Sequence, residues 1–237
     1  MRSSPRRSRG WSPRQVYRWS DLDFEANRRD GNGVDWPIRY RDLEPWYGHV
    51  ERFIGVSGQA EGLPQLPDSV FQPPMQMNTV EKAVKQRIGA AYPDRRMIIG
   101  RCANVTEPLG DRAACHYCGV CQRGCSSGAC FSSLSSTLPA ATSTGLLTLR
   151  ANSVVEGVDY DPVRKRASGV RVIDTVTGER TRFASKLVFL CASTIASVQV
   201  LLNSRSGSFP DGLANRSGTL GRYVMDHQNG AIAFGIT

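Results

Sequence analysis

Four cysteines fall within eleven residues, as Cys115-x2-Cys118-x2-Cys121-x3-Cys125 in the segment ACHYCGVCQRGCSSGAC. This spacing lets one tight loop turn three thiolates toward a common centre, as bacterial iron–sulfur runs do. Gly119, Gly124 and Gly128 supply the backbone freedom such wrapping needs. A structural zinc prefers two well-separated Cys-x2-Cys pairs. Three readings stay open at this level: a [3Fe-4S] or [4Fe-4S] cluster on Cys115, Cys118, Cys121 and Cys125, a zinc site, or cysteines that are unliganded or paired as disulfides. For a four-iron cluster, Cys102 and Cys130 are further candidates for the fourth ligand.

Upstream of this run the pattern is helical. Asp42 to Ile54 carries Leu43, Trp46, Tyr47, Val50, Phe53 and Ile54 at helical spacing, and Gly55 supplies a stop. Residues 58–77 hold Pro64, Pro67, Pro73 and Pro74 and read as an irregular covering segment. Asn78 and Glu81 form a capping box ahead of a helix that ends near Gly89 and buries Val80, Ala83, Val84 and Ile88. Met97–Ile99 is a short strand candidate.

After the cysteines a helix is expected over Leu134–Thr144, and then the period changes to two. Leu147–Leu149 and Val154–Val158 read as strands, followed by a turn at Asp161-Pro162. Val170–Val172 and Arg182-Phe183 read as a hairpin around Thr177-Gly178. Lys186–Cys191 (KLVFLC) is a strand covered on both faces, leading straight into a helix over Ser193–Asn203. The fold class is therefore α/β (α+β-like).

Charge narrows the partners. The chain of 237 residues carries a formal +9, but Arg2, Arg6, Arg7, Arg9 and Arg14 lie in the first 14 residues, and without those five the excess falls to +4. Residues 1–15 read as a solvated basic tail. No basic stripe interleaved with aromatics follows it, so nucleic acid is not an expected partner. No apolar run approaches the roughly 18 residues of a membrane span, and no apolar stretch follows the arginines as in a secretory signal. The compartment stays open: cytoplasmic by default, periplasmic for an exported parent enzyme.

Several segments in order resemble the glucose–methanol–choline (GMC) oxidoreductases, above all the bacterial gluconate and sugar dehydrogenase flavoprotein subunits. YRWSDLDF (17–24), DWPIRYRDLEPWY (35–47), HYCGVCQRGC and FSSLSSTLPAATSTG carry the resemblance, as do Ser193–Ser204 and LGRYVMDH (220–227). Ser193–Ser204 departs from the family signature at Val198, where proline is usual, and the next residue, Arg205, stands where glycine is usual. The resemblance implies a partial FAD-binding GMC fold with part of a substrate domain. It divides the chain into a segment 16–114 of substrate-domain and covering elements, the cysteine segment 115–131, and part of the FAD domain over 132–237.

The activity so implied is FAD-dependent oxidation of a CH–OH group of a sugar, polyol or related alcohol. A cytochrome or small electron-transfer subunit would be the partner. Val155 matches a position whose backbone contacts the adenine in the family, and Ser193 and Thr194 open a helix where N–H groups can meet cofactor oxygens. No Gly-x-Gly-x-x-Gly stands between a strand and a helix in the sequence. No catalytic residue is assigned: His49, His116 and His227 all lack the expected setting of a base over a flavin. These absences lead to the expectation of an internal fragment, inactive and poorly soluble alone. The alternative is an iron–sulfur electron-transfer or metal-binding module without flavin.

Overall fold

Ser20 and Asp23 open the first helical turns of the chain in the computed structural model, which describes residues 15–119 and 121–222. The Asp23 carboxylate accepts from the Ser20 N–H at 2.7 Å, and the Ser20 hydroxyl accepts from Leu22 N–H at 3.2 Å. This reciprocal cap starts α1 (Asp21–Phe24), and α2 (Ala26–Asp30) follows it to a left-handed stop at Gly31. Neither short helix is expected from a sequence that presents this stretch as polar and rich in turn residues.

The expected central helix is α3 (Tyr40–Ile54). It begins two residues before Asp42, because the Asp42 carboxylate reaches back to the Arg39 N–H at 2.8 Å rather than serving as the cap itself. The capping box at Asn78 and Glu81 is present with both bonds, 2.9 and 2.7 Å, and starts α4 (Thr79–Ala91). That helix runs past Gly89. It buries no residue fully, with Val84 and Ile88 half-buried and Val80 and Ala83 exposed.

The described chain divides into two compact units at Leu147/Thr148. In the first, short bridged segments do the work of a sheet. Ser57 exchanges both backbone bonds with Cys102 at 2.8 and 3.0 Å, Gln72 N–H donates to Val56 at 2.8 Å, and Phe131 N–H donates to Ala103 at 2.8 Å. Ile54, Val56 and Ala103 form the apolar centre, with Val16, Phe71 and Phe131 against it. Met97–Ile99 is not a strand. Helix α5 is confined to Thr137–Ser143, because Ser132–Ser136 is taken up in hydrogen-bonded turns.

The second unit is an antiparallel sheet of three strands in the order β1 (Ser153–Asp161), β2 (Arg166–Asp174), β3 (Arg180–Ala184). The expected hairpin has Val170 opposite Phe183 and Val172 opposite Thr181. Its turn is built by the Asp174 carboxylate, which accepts from Val176 and Thr177 N–H, and by Gly178 at φ 74°. Helix α6 (Thr194–Asn203) packs on β1, where the Ser204 hydroxyl accepts from Val158 N–H at 2.7 Å.

Two strand expectations fail here. Leu147–Leu149 has no strand pairing, and Lys186–Cys191 is neither a strand nor buried. The cause in the second case is the lack of a covering neighbour among the described residues: Leu187 is 72% exposed and Phe189 82% exposed. With helices and a three-stranded sheet, the fold is mixed α/β.

Candidate functional site

The cysteine segment is organised by Arg112. Its guanidinium is buried and donates from Nε to Gly128 O at 3.0 Å, from Nη2 to Ala129 O at 2.9 Å, and from Nη1 to Ile54 O. Three planar donors on three carbonyls pin the end of α3 to the loop after the cysteines. Burial holds the Arg112 guanidinium below its ordinary range, against the pull of the nearby Cys130 and Cys125 thiols.

Each cysteine is then placed by its own local contacts. The Cys115 N–H donates to Val105 O at 2.9 Å. Cys118 lies at the surface after Tyr117, a left-handed residue at φ 58° whose hydroxyl accepts from Gln76 N–H at 3.2 Å. Cys121 begins a 3-10 turn ending at Arg123. Cys125 turns inward, its Sγ 3.4 Å from the Ser127 hydroxyl and 3.5 Å from the Cys130 N–H. Burial raises the Cys125 thiol, but the donors at Ser127, Cys130 and Ala129 outweigh it and leave the thiol below its usual range.

Among the described residues, no three His, Cys, Asp or Glu side chains are grouped as a metal ion requires. Cys115, Cys118, Cys121 and Cys125 thus form no such group among the described residues, and the cluster expected from their spacing gains no support. Spacing brings thiols within reach of one centre, but here Cys125 is committed to its own turn and Cys118 to the surface.

The candidate cofactor residues lie in the second unit. Val155 sits on β1 opposite Val172, just before a register shift at Gly157, and is 36% exposed. Ser193 precedes α6 with φ 73° and ψ 165°, a backbone region that strains any residue but glycine. Its side chain makes no capping bond. Ser197 N–H donates to Ser193 O at 2.9 Å, so the helical ladder starts there and the N–H groups of Thr194, Ile195 and Ala196 face outward from the helix end. Thr194 is exposed. No hydrogen bond links Val155 to Ser193 or Thr194 among the described residues.

His49, on α3, and His116, within the cysteine segment, are both exposed; His227 lies outside the described residues. Sequence reasoning missed Arg112 as the organiser of the cysteine loop. No local signal marks it, because its acceptors come from residues 54, 128 and 129.

The family model described as GMC oxidoreductase matches residues 31–229. A 2-methyl-1,2-propanediol dehydrogenase of Mycolicibacterium austroafricanum is 31% identical over 219 residues, covering 89% of this chain and 38% of the relative. Paromamine 6'-oxidase of Streptomyces fradiae is 28% identical over 87% of this chain and 37% of its own length. The fructose dehydrogenase large subunit of Gluconobacter japonicus is 24% identical over 92% of this chain and 40% of its own length. The chain thus spans about two fifths of the length of these relatives.

Proposed function

Given that the chain belongs to the GMC oxidoreductase family, we propose that it forms part of an FAD-dependent enzyme oxidising a CH–OH group of a sugar, polyol or related alcohol. The match over residues 31–229 carries this reading. The relatives are named for a diol, for paromamine and for fructose, all small molecules bearing alcohol groups, which supports that substrate class. FAD, when bound, accepts the hydride leaving the alcohol carbon.

This chain's share in the reading is cofactor binding. The open N-terminus of α6 offers N–H groups and the positive end of the helix dipole to a polar or phosphate oxygen, and the uncommitted Ser193 hydroxyl adds a donor. Val155 would meet the adenine through its backbone, where the strand departs from regular pairing at Gly157. These residues fit the adenosine-pyrophosphate side of FAD. We assign no catalytic base among the described residues. The name of the fructose dehydrogenase large subunit implies a further subunit in that relative, and a cytochrome or small electron-transfer subunit is the acceptor proposed for this chain. No helix among the described residues is long and apolar enough to cross a membrane. The reading as a metal-binding module without flavin is the less supported one, since no group of three metal-ligating side chains is found among the described residues.

Titration of FAD and of ADP against the parent enzyme stripped of flavin tests the assignment. Ser193→Asp places a negative charge against the phosphates and is expected to weaken both ligands at least about ten-fold. Unchanged affinity would refute the placement at α6.

A further inference from the structure

Four arginines, Arg171, Arg180, Arg182 and Arg205, line one cavity of about 390 Å3 in the second unit. That volume lies within the range of about 300–1,000 Å3 found for small-molecule sites. Two acids share the cavity with them. Asp159 takes Arg171 on Oδ1 and Arg182 on Oδ2, the latter at 2.5 Å. Glu156 faces Arg180 at 3.5 Å. Arg205 has no carboxylate partner among the described residues, and its Nε reaches only the Leu202 carbonyl, at 3.5 Å. Four guanidinium groups against two carboxylates leave the cavity with two positive charges in excess.

The backbone is shaped to bring these groups together. Register shifts between Val155 and Gly157 and between Asp159 and Tyr160 bracket the β1 edge of the cavity, and bulges of this kind re-aim side chains. Arg171 on β2 stands directly opposite Arg182 on β3, so both leave the sheet on one face. Like charges so placed repel, and the shared Asp159 carboxylate holds them. Gly157 makes the room: a Cβ there would lie 2.3 Å from Arg171 Nη2. The Ser206 hydroxyl, in the wall that follows α6, is buried and has no hydrogen-bond partner among the described residues. Buried hydroxyls are ordinarily paired. The negative end of α6 opposes an anion only weakly, because its last carbonyls are already taken. Val200 O accepts from the Ser204 hydroxyl, Leu201 O from Leu213 N–H, and Leu202 O from Arg205. Arg205 also stands where the family signature carries glycine, so this cation is the chain's own addition.

We propose that this cavity binds a phosphate dianion, free or as the monoester of a small molecule. Arg171, Arg182 and Arg205 hold it, with the Ser206 hydroxyl as a further donor. A guanidinium presents paired N–H donors that match two phosphate oxygens, and the excess of two charges matches a dianion. The site is separate from the proposed cofactor contact. Ser193 and Ser204 cap opposite ends of α6, whose ten residues span about 15 Å. The proposal therefore does not rest on the FAD reading.

The test is calorimetric titration of the full 237-residue chain with inorganic phosphate and with glycerol phosphate, at constant ionic strength. Saturable 1:1 binding is expected. No histidine lines the cavity, so the pH dependence is the ligand's own. With a second pKa of about 6, the monoester is expected to bind about ten-fold more weakly near pH 5 than near pH 7.5. Arg205→Glu, at an exposed residue, is expected to weaken binding at least about ten-fold, and Arg205→Gln to weaken it less. Arg164→Glu makes the same change in net charge outside the cavity and is expected to leave the affinity within about two-fold. Equal losses in the two Glu variants would reduce the effect to net charge and overturn the proposal, as would heats that never saturate. Loss in Ser193→Asp with Arg205→Glu unaffected would place the ion at the start of α6 and also overturn it. Tighter binding of glycerol phosphate than of inorganic phosphate assigns the site to an organic phosphate, and the reverse assigns it to the free ion; each upholds the phosphate chemistry.

Discussion

Arg18 and Glu51 meet as a bidentate pair inside the first unit, Nε to Oε1 at 3.0 Å and Nη2 to Oε2 at 2.6 Å, with both side chains at most 5% exposed. Tyr40 completes the shell, its hydroxyl accepting from Arg18 Nη1 at 2.7 Å. The Glu51 hydrogen bond holds the Arg18 guanidinium well above its ordinary range, against the effect of burial. Glu51→Ala strands a buried cation and is expected to cost about 3–5 kcal/mol, whereas Arg18→Met combined with Glu51→Leu costs far less. All four tryptophans precede residue 47, so urea unfolding followed by tryptophan fluorescence reads this unit selectively.

Gly55 ends α3 at φ 71°, and a Cβ there would lie 2.4 Å from Val105 Cγ1 and 2.9 Å from Leu109 Cδ2. Gly55→Ala therefore combines left-handed strain with overpacking, and a loss of about 2–4 kcal/mol is expected in the same fluorescence transition.

Arg112→Lys keeps the charge but replaces a three-pronged donor with a point charge that cannot span Ile54, Gly128 and Ala129. Leaving buried carbonyls unmatched is expected to lower stability by about 2–4 kcal/mol. Amide exchange at Phe131 and Val105, whose N–H groups bond within the same array, is expected to quicken alongside.

Asp68 gives the first unit a pH dependence. Its carboxylate accepts from Glu61 N–H at 2.9 Å, the main reason it lies below the usual range, and also from Gly62 N–H and Arg101. A group depressed in the folded state contributes stability above its unfolded pKa of about 3.9, and that contribution is lost as pH falls through the lower folded value. Unfolding midpoints are expected to drop below about pH 4, and Asp68→Asn to flatten that part of the profile.

Ser193→Gly removes the strain at φ 73° and ψ 165°. Against the greater chain entropy of glycine, a net gain of about 1 kcal/mol is expected in thermal unfolding of the second unit. If the Ser193 hydroxyl binds cofactor, FAD affinity falls in the same variant, so stability and binding move in opposite directions.

Local chemistry was legible in the sequence wherever it closes within a few residues. The Asn78–Glu81 box, the Gly55 stop and the Asp174–Gly178 turn each carry their own donors and acceptors. Ser20 and Asp23 carry the same capping pattern, but α1 is only four residues long and leaves no apolar period to find. The spacing of Cys115, Cys118, Cys121 and Cys125 gives reach without direction. The loop that carries them is pinned by Arg112 through carbonyls up to 58 residues away, and each thiol is placed by its own local contacts. The apolar composition of Lys186–Cys191 reads as a strand covered on both faces, but cover depends on neighbours distant in sequence, and Leu187 and Phe189 are exposed among the described residues.

The Arg112 clamp also has a bearing on synthesis. Ile54 leaves the ribosome long before its partner, and the loop carbonyls at Gly128 and Ala129 come later still. At about 5–20 residues per second the wait is roughly 4–15 s. For that interval the C-terminal turn of α3 is not yet tied to the loop at Gly128 and Ala129, and of the side chains packed at Ile54 and Val56 only Phe131 is still to come. The clamp is thus a late lock on a core whose other members are already synthesised, and pausing upstream of residue 129 would delay only that lock.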